Sequence, residues 1–169
     1  MKYKETRGTI RSGDVLAWSH SRWRSFYDFK VQLVRIFTQS EYCHVGIAWC
    51  VAERVFILES VSAGVRIYPL SKECPFYWIP MSLDWTQGAE EFALAQVGEP
   101  YSQLEAVLAF FDKDDKDNLD IWECAKFVKA VLHKLMPTIL PCRATPSAVV
   151  LDLQRLGRPV MYVEADDAE

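Results

Sequence analysis

Cys43-His44-Val45-Gly46-Ile47-Ala48-Trp49-Cys50-Val51-Ala52-Glu53-Arg54-Val55-Phe56-Ile57-Leu58-Glu59-Ser60 is the stretch that decides how this chain folds. Two apolar runs, Cys43 to Trp49 and Arg54 to Ser60, flank Cys50-Val51-Ala52-Glu53, a length that suits a hairpin connection between strands. His44 begins the first strand, beside the apolar Val45 to Trp49, and Glu59 ends the second, beside the apolar Val55 to Leu58. A carboxylate ending a buried strand is costly unless it finds a partner, and a neighbouring imidazole is a natural one. If the two are cross-strand neighbours, the carboxylate fixes the imidazole tautomer and stabilises the imidazolium.

Working outward, Gly13-Asp14 opens the apolar run Val15 to Trp18, a short buried strand. From Ser21 to Thr38, Trp23, Phe26, Tyr27, Val31, Val34 and Phe37 recur at helical spacing among Arg22, Arg24, Lys30 and Arg35. That pattern predicts a core-facing helix with a solvated basic face, although a basic amphipathic helix can also lie on a membrane surface. Past the hairpin, Val65 to Leu70 follows Gly64 and Phe76 to Met81 follows Pro75. Several antiparallel strands in one block predict a compact meander or small barrel.

The chain then turns helical. Thr86 caps a helix running to about Val97, with Gly98 as its stop. An apolar stretch, Leu104 to Phe111, leads to the charged, exposed linker Asp112 to Asn118. Beyond it Ile121, Ala125, Val128, Leu132 and Leu135 form one helical stripe, widened by Cys124 and Val131. Asp120 with Glu123 resembles a capping box, and Pro137 ends the helix. Thr145-Pro146 starts a last helix, Ser147 to Leu156, which Gly157 stops. Val160 to Val163 is a final apolar run. The expectation is an α+β fold in which a small antiparallel barrel-like sheet packs against helices, with residues 1–163 as one domain and the acidic tail 164–169 disordered.

Composition narrows the function. Half of the 169 residues are hydrophobic, and the net charge of −4 argues against a nucleic-acid binder, which would carry a basic face. Five cysteines without regular spacing form neither a disulfide framework nor a zinc pattern, so free thiols in a reducing compartment are expected. Met1 to Gly8 lacks an apolar signal-peptide core, and no stretch reaches membrane-spanning length. Cytoplasmic residence is the default expectation. Calcium is also disfavoured. Asp112, Asp114, Asp120 and Glu123 fall at ligand positions of an EF-hand loop, but Lys116 stands where an oxygen ligand is needed and Asp117 replaces the turn glycine.

Cys124 sits in the first turn of its predicted helix, where unpaired N–H groups and the positive dipole end favour a thiolate. A cysteine hydrolase needs that thiolate, an imidazole within reach and a group orienting the imidazole. Taken singly each candidate has a bland reading: Cys124 as core, His44 as a hydrogen-bonded core histidine, Glu59 as a solvated strand end. One site accounts for all three together. Cys43 points to the opposite strand face from His44, and Cys50, Cys74 and Cys142 have no polar neighbour that suggests activation.

The ordered set Gly13-Asp14-Val15-Leu16, His44-Val45-Gly46-Ile47, Leu58-Glu59-Ser60 with Gly64-Val65, Ala95 to Tyr101, Cys124 with Phe127-Val128, and Thr145-Pro146 resembles the circularly permuted papain-like proteins of the YiiX type, related to NlpC-type cell-wall peptidases. The resemblance runs from about Ser12 to Leu156. It implies Cys124 as nucleophile, His44 as general base, Glu59 as the orienting residue, and Tyr101 and Trp122 near the substrate. Relatives often carry serine before the histidine and after the cysteine, where Cys43 and Ala125 stand here. Glu123 adds a negative charge beside the nucleophile, which would raise its pKa.

The resemblance implies a hydrolase of amide or ester bonds acting through a thioacyl-enzyme, with peptide, cell-wall-like or lipid-like acyl substrates and no metal or organic cofactor. Two alternatives stand beside it. An acyltransferase or phospholipase similar to the lecithin:retinol acyltransferase group would also place a histidine strand before a cysteine helix. A catalytically silent module of the same fold would keep the cleft for a ligand.

Overall fold

The computed structural model describes residues 1–19, 41–61, 63–99, 123–137 and 145–167. Within them a short N-terminal turn, α1 (Tyr3–Thr6), precedes β1 (Val15–Ser19), β2 (Tyr42–Val51), β3 (Arg54–Val61) and β4 (Gly64–Pro69). A 3-10 turn (Leu70–Lys72) leads to β5 (Phe76–Ile79), followed by helices α2 (Gln87–Ala95), α3 (Glu123–Leu135) and α4 (Pro146–Arg155) and a last strand, β6 (Met161–Val163). The architecture is α+β. The expected basic helix over 21–38, the stretch over 104–111, the linker over 112–118, most of the candidate calcium loop, and Tyr101, Trp122 and Cys142 lie outside the described residues.

All six strands join one antiparallel sheet in the order β4-β3-β2-β1-β5-β6. The hairpin at its centre is tighter than expected, because β2 runs on to Val51 and only Ala52 and Glu53 turn. Both adopt positive φ (46° and 62°), the left-handed pair of a two-residue turn matched to strand twist.

The barrel-like closure expected from the sequence does not form: the sheet is open, with β4 and β6 at its edges. The reason lies in its two apolar faces. Along β1, Val15 and Ala17 join the core beneath the helices, while Leu16 and Trp18 join a second core on the other face. The first contains Val45, Ile47 and Leu58 packed with Phe127, Val128 and Val131 of α3 and Val149, Val150 and Leu153 of α4. The second contains Tyr3, Ile10, Leu70 and Phe76. A sheet covered on both sides stays a layer between two cores rather than curling around one. Each edge is blunted by an isolated bridge, Val65 to Val97 beside β4 and Lys2 to Glu164 beyond β6.

The helix boundaries follow local chemistry. The Thr86 hydroxyl accepts from the Ala89 N–H at 3.2 Å, and the Thr145 hydroxyl accepts from the Ala148 N–H at 3.0 Å with Pro146 in the first turn. The Trp49 indole donates to Glu90 Oε1 at 2.8 Å and ties α2 to the sheet. Of the acidic tail, Glu164 to Asp167 lie against the N-terminal segment. Glu164 exchanges backbone bonds with Met1 and Tyr3, Asp166 accepts from the Lys4 N–H, and Asp167 accepts from Lys2 Nζ at 2.7 Å. No described helix is long and apolar enough to cross a membrane.

Candidate active site

Strand register brings the polar residues of the hairpin together. In the β1–β2 pair His44 stands opposite Trp18, and a register shift follows, so that Ser19 faces Tyr42. Cys43 takes up the irregularity, with its thiol donating to the Trp18 carbonyl at 3.4 Å. In the β2–β3 pair Ile47 faces Leu58, a register whose continuation sets Glu59 level with Gly46, diagonal to His44. Gly46 permits the close strand approach, since a Cβ there would lie 2.5 Å from Ile57 Cδ1. The result is a 2.5 Å contact between His44 Nε2 and Glu59 Oε2, with Glu59 fully buried and His44 nearly so.

Cys124 enters from α3, which packs across β2 and β3 and buries the residue to 6% exposure. Its sulfur is a hydrogen-bond partner of His44. Burial disfavours a charged ring at His44, but the charge and hydrogen bond of Cys124, then those of Glu59, outweigh it and raise the pKa from 6.5 to about 10. Burial likewise works against ionisation of Glu59. His44, followed by Arg66, overcomes it and holds the carboxyl below its usual range. The structure thus gathers Cys124, His44 and Glu59 into one polar cluster. Tyr101 and Trp122 lie outside the described residues.

Sequence reasoning passed over three groups that complete the cluster. Arg66 faces Glu59 directly in the β3–β4 register, and its guanidinium lies 2.6 to 2.7 Å from Glu59 Oε1. The same guanidinium reaches Glu73 Oε1 at 3.3 Å. Trp18 donates its indole N–H to the Glu73 carbonyl at 2.7 Å and holds its ring 5.6 Å from that of His44. The available signal was faint: a charged residue alternating with apolar ones in Val65-Arg66-Ile67, which marks a strand but not its partner.

The other described cysteines sit in different settings. Burial raises the Cys50 thiol and pushes that of Cys74 up to about 12, away from the thiolate. Among the described residues, no group of three or more His, Cys, Asp or Glu side chains is arranged to hold a metal ion.

No protein-family model and no curated protein matches the chain. Among solved structures it is similar to the crystal structure of metalloprotein yiiX from Escherichia coli O157:H7. That similarity has a TM-score of 0.49 and 19% sequence identity, covering 76% of this chain and 67% of that one, and is too distant to assign a family.

Proposed function

We propose that this protein is a cysteine-dependent hydrolase of amide or ester bonds, with Cys124 as nucleophile, His44 as acid–base and Glu59 as the group that orients His44. The observation that carries the reading is His44 itself: a buried imidazole held between a cysteine sulfur and a buried carboxylate. A histidine raised to about 10 chiefly by Cys124 is placed to hold the proton that the thiol gives up as it attacks. The chain order His44, Glu59, Cys124 is also the one a circularly permuted papain-like arrangement would have.

With Nε2 engaged by Glu59, Nδ1 is the ring nitrogen left to exchange protons with the sulfur. The Cys124 sulfur attacks the substrate carbonyl carbon and forms a C–S bond. The carbonyl oxygen takes up the electron pair and is stabilised by backbone N–H groups at the start of α3. Collapse of this adduct expels the amine or alcohol, which takes the proton from His44 and leaves a thioester. His44, now neutral, accepts a proton from water as that water attacks the thioester. Collapse releases the carboxylic acid and returns the thiolate–imidazolium pair. Glu59 keeps the Nδ1 edge of the ring turned to the sulfur throughout and offsets the imidazolium charge.

The test is a panel of short peptides, cell-wall-like amides and lipid esters offered to the wild type and to Cys124→Ala. Turnover by the wild type and its loss in the variant are expected. Turnover that survives in Cys124→Ala defeats the assignment, and a wild-type thiol that labels no faster than free cysteine points to a silent binding module.

A further inference from the structure

We propose that Arg66 is a positioning residue of this site: clamped between Glu59 and Glu73 and stacked on Tyr68, its guanidinium fixes the Glu59 carboxylate against His44. The inference rests on the proposed function and deepens it, because it adds a fourth member to the arrangement.

The geometry distinguishes this contact from a surface ion pair. An exposed pair contributes little, since water screens it and two flexible side chains must be ordered. Here one partner, Glu59, is 1% exposed, so its charge has no water to fall back on. Its two oxygens are divided between two donors: Oε2 meets His44 Nε2, and Oε1 takes the Nε and a terminal nitrogen of Arg66. A carboxylate held at both oxygens cannot rotate without breaking one set of contacts, and the plane it keeps is the one that faces the imidazole.

The arginine is in turn held from two further sides. Glu73 Oε1 lies 3.3 Å from its terminal nitrogen, and its guanidinium carbon lies 4.4 Å from the centre of the Tyr68 ring. Glu73 also anchors Trp18 through its backbone carbonyl, and the Trp18 ring flanks His44. The contacts therefore close into a loop running His44, Glu59, Arg66, Glu73, Trp18 and back. Around Glu59 the charged and titratable groups of the described residues are His44 from β2, Arg66 from β4, Glu73 from the segment before β5, and Cys124 of α3 through His44.

Losing Arg66 acts through Glu59. The carboxylate loses a cation and two donors, so it takes up a proton at higher pH and ceases to hold the imidazolium. The acid limb of Cys124 reactivity therefore moves upward in pH.

The experiment follows the rate of Cys124 alkylation by iodoacetamide against pH in the full chain, with a thermal melt of each variant. Arg66→Met is expected to raise the acid limb by about one pH unit and slow labelling below it about tenfold, the worth of one charge-assisted contact. Arg66→Lys restores the charge but not the two-pronged fork, and is expected to recover part of the shift. Tyr68→Leu removes the ring under the guanidinium without changing any charge, so it loosens the clamp and gives a smaller upward shift even if Arg66→Met fails to fold. A lowered melting temperature with the limb unmoved in every folded variant means Arg66 only supports the fold and overturns the inference alone. A wild-type thiol as slow as free cysteine, unchanged in His44→Ala, overturns the proposed function and this inference together.

Discussion

Two carboxylates are buried among the described residues of this sheet, and they are held in opposite ways. Asp14 accepts from the Arg11 N–H at 2.9 Å, the Met81 N–H at 2.9 Å and the Trp78 indole at 2.8 Å. Every one of those donors is neutral and keeps its proton at any ordinary pH. Glu59 is held by an imidazole and a guanidinium, and the imidazole titrates and is coupled to a cysteine. Asp14 joins the start of β1 to the end of β5 and has nothing to exchange. Glu59 stands at the end of a chain of groups that can pass charge. Burial alone does not separate an anchor from chemistry; the nature of the donors does.

The largest effect is expected at Asp14. Replacing it by alanine leaves three donors, two of them buried, without their acceptor, a loss of about 3 kcal/mol. For a chain of this size that lowers the melting temperature by roughly 10 °C. Labelling of Cys124 in the remaining folded protein is expected to match the wild type. If Asp14→Ala slows labelling as strongly as Glu59→Gln does, the division between anchor and chemistry fails.

Gly46→Ala probes the frame that both carboxylates share. The added methyl would meet Ile57 Cδ1 at 2.5 Å and Cγ1 at 2.7 Å, so β2 and β3 must part. Overpacking of this kind costs about 2 kcal/mol. Because the same strands set the His44–Glu59 contact, reactivity is expected to fall along with the melting temperature.

Glu59→Gln is the mirror image of the Asp14 variant. Its amide keeps the size of the side chain while removing the charge that favours the imidazolium, so labelling at neutral pH is expected to slow about tenfold. The melting temperature should move less than in Asp14→Ala, and the reverse ranking would contradict the comparison.

The smallest effect lies in the pH dependence of stability. His44 has its pKa raised from 6.5 to about 10, so its contribution is complete below the unfolded value and is lost as pH rises through about 10. Glu59 is lowered from 4.5, so its contribution is present above that value and is lost as pH falls through the folded one. Melting curves should therefore decline on both flanks of a plateau between pH 4.5 and 6.5, the two ordinary values. Cys124→Ala removes the strongest influence raising His44, so the alkaline decline should begin at lower pH in that variant.

Much of the candidate site was legible because its members break local pattern. His44 and Glu59 interrupt apolar strands, and Cys124 falls at the start of a well-striped helix. Arg66 was not legible, since an arginine alternating with valine and isoleucine is what any half-exposed strand shows. Its importance arises from standing opposite Glu59, a cross-strand relation that no window of sequence contains. Glu73 and Trp18 were missed for the same reason. Their contact joins a backbone carbonyl to an indole across 55 positions.

What the amino-acid order determined by itself is local: strands where β-branched and aromatic residues cluster, helices that start at Thr86 and Thr145, an end at Gly157, and a hairpin between two apolar runs, whereas the helix expected to run to about Val97 ends at Ala95. These depend on interactions within a few residues, which propensity and capping encode directly. The tertiary structure decided that the sheet stays open between two cores, and which charged groups meet across it. Register and layer packing are settled by contacts between distant segments, and a shift of one residue would turn each of these side chains to the other face.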